Sequence, residues 1–119
     1  MPAAIKEKLY LLAPLFQAEG VHLVYLFGSL VKGEGAEDLD LAVLPGKKGM
    51  GSLRESICEV LDTYRIDLVN LETASPILRF EVIKTGVLIY KKNELAENYF
   101  ELSTIKEYRD TVGSNIWLS

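Results

Sequence analysis

Apolar residues recur along the chain with helical and strand periods in turn. Ile5, Leu9, Leu12 and Phe16 stand at helical spacing and predict an amphipathic helix over residues 3–18. Pro14 falls inside that pattern and should kink the helix or end its regular part. Gly20 closes the element. Val21 to Phe27 (VHLVYLF) is β-branched and aromatic and apolar on both faces, the pattern of a covered central strand. Gly28-Ser29 breaks it. Residues 30–37 (LVKGEGAE) are polar and hold at most a turn or two of helix. A second strand, Leu39 to Leu44 (LDLAVL), is stopped by Pro45-Gly46. The glycine-rich run 45–51 (PGKKGMG) is the best candidate for a mobile loop.

The second half repeats the alternation. Ser52-Leu53-Arg54-Glu55 has the form of a capping box, and Leu53, Ile57, Val60, Leu61 and Tyr64 mark a helix over residues 53–64. Ile66 to Leu71 (IDLVNL) reads as a third strand. Ser75-Pro76 is an N-cap followed by proline in the first turn, and Gly86 is a natural stop, so a helix runs from Pro76 to about Thr85. Val87 to Tyr90 is a short fourth strand. From about residue 93, Leu95, Tyr99, Leu102, Ile105 and Val112 predict a long terminal helix ending at Gly113. The apolar Ile116-Trp117-Leu118 should then pack back on the domain. The fold class is α/β (α+β): a mixed sheet of about four strands flanked by helices.

Composition narrows the class. The 119 residues are 49% hydrophobic and 25% charged, so residues 1–119 read as one compact domain with a core of its own. The 13 basic and 17 acidic residues give a net charge of −4, which argues against nucleic acid as the direct substrate, because such binding rests on neutralising phosphates. The single cysteine, Cys58, fits a reducing compartment and a small core role. The longest apolar run is too short to span a bilayer, and the first residues lack the pattern of a signal peptide. The expected location is the cytoplasm.

Three carboxylates carry the candidate chemistry. Asp38 and Asp40, two apart in a strand, project from one face, while Leu39, Leu41 and Val43 fill the other. Side by side, the two acids repel unless a cation lies between them. Asp67 interrupts its own apolar strand in the same way. Three acids facing one way on adjacent strands would make a hard oxygen site suited to Mg²⁺. An isolated D-x-D more often faces solvent without a role. The segment before it shifts the balance: Gly28 allows a close backbone approach to a ligand, Ser29 offers a hydroxyl to phosphate, and Lys32 supplies counter-charge. Lys47 and Lys48 would lie in the loop nearest this site. With no second histidine in the chain, no metal role is expected of His22. Arg79 and Glu81 should face outward or pair locally, with a buried ion pair as the alternative for Arg79.

The run Leu26-Phe27-Gly28-Ser29, then Lys32-Gly33, then Asp38-Leu39-Asp40-Leu41-Ala42-Val43 resembles the signature of the DNA polymerase beta-like nucleotidyltransferases. The likeness is greatest to the minimal nucleotidyltransferases, or MNT domains, of HEPN/MNT toxin–antitoxin pairs. Arg65 to Leu71 is similar to the family's third-acid strand, and Ser75 to Val82 running into Gly86 to Tyr90 is similar to the helix and strand after it. The resemblance covers about residues 5–95. It implies transfer of a nucleoside monophosphate, AMP from ATP, with Mg²⁺ in a two-metal site. It also implies roles: Asp38, Asp40 and Asp67 as catalytic and metal-binding residues, and Gly28, Ser29 and Lys32 as nucleotide-binding residues. The eight-residue Leu30 to Glu37 connection is a little shorter than the family's usual one.

The implied partner is a HEPN toxin whose hydroxyl accepts AMP. The docking rim would be the 45–51 and 30–37 loops, with the terminal helix and Trp117 beside them. Two other readings stay open: an antitoxin of the same fold that neutralises by binding alone, and a small-molecule nucleotidyltransferase whose site another subunit completes. A homo-oligomer is also open.

Overall fold

The structure is a computed structural model and describes residues 3–28, 39–63 and 65–118. The predicted first helix is two: α1 (Ala3–Tyr10) and α2 (Ala13–Ala18), parted at Leu11 and Leu12. Pro14 lies in the first turn of α2, where its missing N–H has no helical partner to lose. Then follow β1 (Leu23–Phe27), β2 (Leu39–Leu44), α3 (Leu53–Leu61), β3 (Ile66–Asn70), α4 (Pro76–Thr85), β4 (Val87–Lys91) and α5 (Glu94–Leu118).

Local signals fix some ends and miss others. Ser75 caps α4 as expected, its Oγ accepting the Leu78 N–H at 3.2 Å. Ser52 makes no side-chain cap bond to α3, so the predicted capping box does not form. α3 stops at Leu61, where Asp62 turns left-handed (φ 54°), and the predicted Tyr64 lies outside the described residues. Gly113 does not end α5, which runs on to Leu118. A mid-helix glycine costs only about 1 kcal/mol against alanine, so a long helix passes through one.

The sheet order is β3-β2-β1-β4. β1 is antiparallel to both neighbours, and β2 and β3 are parallel, joined by the α3 crossover. β1 lies inside the sheet and its first four residues are buried, as its two-sided apolar pattern predicted. One face packs Val24, Leu26, Leu41, Val43 and Ile66 against Leu9, Leu12, Phe16, Ile57 and Leu61 of α1, α2 and α3 and their links, with Cys58 buried among them. The other packs Leu23, Tyr25 and Ala42 against Leu71, Val82 and Phe100 under α4 and α5. No helix among the described residues is long and apolar enough to cross a membrane.

Candidate active site

Strand alternation places the acids. Leu41 and Val43 are fully buried on the α1–α3 face, each contributing about 2 kcal/mol of apolar burial. A one-residue slip of β2 would take both out of that core and drive the Asp40 charge into it, so the register is firmly set. Asp40 therefore points to the α4/α5 face, near the start of β2, where it is half-buried.

Parallel pairing puts Asp40 opposite Asp67 on β3, and antiparallel pairing puts it opposite Phe27 on β1. Directly paired residues of neighbouring strands point the same way and sit about 5 Å apart. The two carboxylates thus share one corner of the sheet, with Asp67 exposed and Asp40 deeper. Gly28 completes it. Its φ is +85°, and a Cβ added there would collide with Asp40 Oδ2 and lie 3.1 Å from Asp40 Cγ. The chain leaves β1 in a conformation open to glycine, and the space beside that glycine holds the Asp40 carboxylate.

Two hard oxygen donors in register suit a divalent cation, which would relieve their repulsion. Among the described residues they are the whole of this acidic corner, and no group of three or more His, Cys, Asp or Glu able to hold a metal occurs there. Asp38, Ser29 and Lys32, the other predicted site residues, lie outside the described residues.

The loop expectation is corrected. The 45–51 loop leaves the sheet beside Leu23, at the opposite end of β1 from Gly28. Gly46 packs on the Gly20 backbone there, and Lys48 Nζ donates to the Ala18 carbonyl at 3.0 Å. Lys47 and Lys48 are not near the acids, and this loop is no part of the rim. The reason is the antiparallel β1–β2 pairing, which returns the chain to the start of β1.

Arg79 was underrated by local reasoning. It is half-buried, and its guanidinium donates to the Leu71 carbonyl (2.7 Å), the Glu72 carbonyl (2.6 Å) and Glu107 Oε2 (3.0 Å). It therefore binds the exit of β3 to both α4 and α5. Tyr25 likewise donates its hydroxyl to Glu101 Oε2 at 2.8 Å, joining β1 to α5. Burial pushes the Tyr25 hydroxyl far above its usual range, and the Glu101 and Glu97 carboxylates push it further. Glu81 is exposed, as expected.

A family profile described as polymerase beta, nucleotidyltransferase matches residues 12–95. Among solved structures, the chain is similar to one of a toxin–antitoxin with AMP-PNP, at 25% identity and TM-score 0.65 over 94% of this chain and 98% of that one. It is similar to a mutant MntA-HpeT toxin–antitoxin at 26% identity and TM-score 0.63 over 93% and 95%. It shares its fold with a Shewanella oneidensis structure of a tri-AMPylated HEPN toxin in complex with MNT antitoxin, at 24% identity and TM-score 0.61 over 94% and 95%. No protein of curated function is similar at a significant level.

Proposed function

Because the chain belongs to the polymerase beta nucleotidyltransferase family, we propose that it transfers AMP from ATP to a hydroxyl of a HEPN toxin and thereby serves as its antitoxin. One observation carries the reading: Asp40 and Asp67 stand in register on adjacent strands, with Gly28 leaving room for the Asp40 carboxylate. The nucleotide and the partner class come from the related toxin–antitoxin structures, one of them with AMP-PNP.

Mg²⁺ held by Asp40 and Asp67, with Asp38 as the further ligand the sequence supplies, would lower the pKa of the attacking hydroxyl and neutralise charge on the triphosphate. The chain's own residues divide the remaining work. Gly28 and Ser29 take the β and γ phosphates at the end of β1, and Lys32 offsets charge on the departing pyrophosphate. Asp67 is the exposed acid of the pair and so the one assigned to the arriving acceptor. Its carboxylate takes the hydroxyl proton as the acceptor oxygen bonds to the α phosphorus and the bond to pyrophosphate breaks. The acceptor oxygen must stand about 3–3.5 Å from that phosphorus, in line with the leaving group.

The test is label transfer. The protein is incubated with Mg²⁺, α-labelled ATP and the product of its neighbouring gene, which this reading expects to be a HEPN protein, and label is expected on that partner. Loss of one anionic ligand removes several kcal/mol of charge stabilisation, so Asp40→Asn should lower the rate about 100-fold or more in a protein that still folds. Tight binding and full inhibition of the toxin with no label transferred would overturn the catalytic reading in favour of neutralisation by binding.

A further inference from the structure

α5 turns its apolar residues two ways. Phe100 packs with the sheet residues Leu23, Tyr25 and Ala42, and both it and Thr104 are buried, at 5% and 1% exposed. Leu95, Tyr99 and Leu102, at positions i, i+4 and i+7, lie along the opposite side and are 77%, 75% and 69% exposed. The same outward stripe continues into two exposed basic residues, Lys106 and Arg109. Glu94 flanks its first turn and is largely exposed, 3.7 Å from Lys91. The outer stripe of one helix is therefore apolar over its first two turns and cationic over the next two.

That order is self-complementary in one arrangement. We infer that α5 is the contact between two copies of this chain, packed antiparallel about a two-fold axis at Leu102. Residues seven positions either side of Leu102 then meet: the aliphatic stem of Arg109 covers Leu95 of the second copy, and its guanidinium reaches Glu94 there. Tyr99 and Lys106, three and four positions from Leu102, meet ring to ammonium, and the two Leu102 side chains pack on each other at the axis. Each pairing away from the axis occurs twice. A parallel arrangement would instead set Arg109 against Arg109 and leave Leu95 beside Leu95 with no cover from the basic residues. Residues 95–109 span about 21 Å at 1.5 Å per residue. A contact of that length falls short of the roughly 800 Å² per partner of a standard interface, so the dimer dissociates on dilution.

Sedimentation velocity across a dilution series from micromolar to sub-millimolar tests the inference, with circular dichroism to verify folding. The wild-type protein is expected to pass from monomer to dimer, and Leu102→Glu, which sets two carboxylates together on the axis, to stay monomeric. Arg109→Glu should weaken the dimer, and adding Glu94→Arg to the same chain should restore it, because the reversed pair still attracts. A monomeric wild type, a dimer indifferent to Leu102→Glu, or a charge reversal without rescue overturns the inference. A monomeric wild type whose binding to a HEPN partner is lost in Leu102→Glu would assign the face to that partner instead. The measurement needs no nucleotide transfer, so its outcome is separate from that of the proposed activity.

Discussion

The missing side chain of Gly28 is filled by the Asp40 carboxylate. Gly28→Ala should cost about 1–2 kcal/mol from the positive φ alone and push Asp40 out of line with Asp67. A folded Gly28→Ala protein should bind AMP-PNP with Mg²⁺ far more weakly than wild type in calorimetric titration, and unchanged affinity would place the nucleotide elsewhere. Alternation alone put Asp40 on the face opposite Leu41 and Val43. The break at Gly28 was equally plain, but its use was only half legible: the glycine makes room for a carboxylate on the neighbouring strand, which only the pairing of Phe27 with Asp40 reveals. The meaning of Arg79 was hidden because Glu107 stands 28 positions away and two of its three partners are backbone carbonyls.

α4 shows how far local chemistry reaches. Its start needs one serine hydroxyl and one proline, both adjacent in sequence, and its observed limits are the predicted ones. Ser75→Ala should cost about 1 kcal/mol, read as a lowered urea midpoint. Arg79→Ala should cost more, about 1–3 kcal/mol, because it leaves the carbonyl of buried Leu71 without its donor and removes the bonds to Glu72 and Glu107. Arg79→Lys should recover only part of that loss, since an ammonium cannot span three acceptors as the planar guanidinium does. In α5, a Cβ at Gly113 would meet nothing within 4 Å. Gly113→Ala should therefore stabilise the protein by up to about 1 kcal/mol, seen as a higher melting temperature and greater helical ellipticity. The same glycine misled the prediction of the helix end, because a stop signal counts only where the following backbone turns away.

At the scale of the molecule, Tyr25 fastens the sheet to its longest helix. Its ordinary pKa is 10.0, and in the fold burial raises it, with Glu101 and Glu97 adding to the rise. Between the unfolded and folded values the unfolded chain has lost this proton and the folded chain keeps it. The stabilisation is therefore complete below about pH 10 and falls as pH climbs above it. Urea midpoints should drop on the alkaline side in wild type. Tyr25→Phe should be about 1.5–3 kcal/mol less stable near neutrality, through loss of a hydrogen bond to a charged acceptor, and should fall less steeply in alkali. An equal alkaline slope in both proteins would show that the Tyr25 hydroxyl does not remain protonated in the fold.

Chain-local rules settled much: apolar period separated strands from helices, serine and proline set the start of α4, and alternation gave Asp40 and Asp67 their faces. These depend on neighbours within a turn of helix or a pleat of strand, which the sequence spells out. Strand order does not. That β2 lies between β1 and β3, bringing Phe27, Asp40 and Asp67 onto one line, follows from which pairing closes the two cores. The same pairing carries the 45–51 loop to the far end of the sheet. Likewise, Leu95, Tyr99 and Leu102 mark a helix in the sequence but do not say which way it turns, and in the fold they face outward. Phe100 wins the core-facing place, packed with Tyr25, Leu23 and Ala42. Periodicity tells that a helix has an apolar side, and only packing decides which side the core takes.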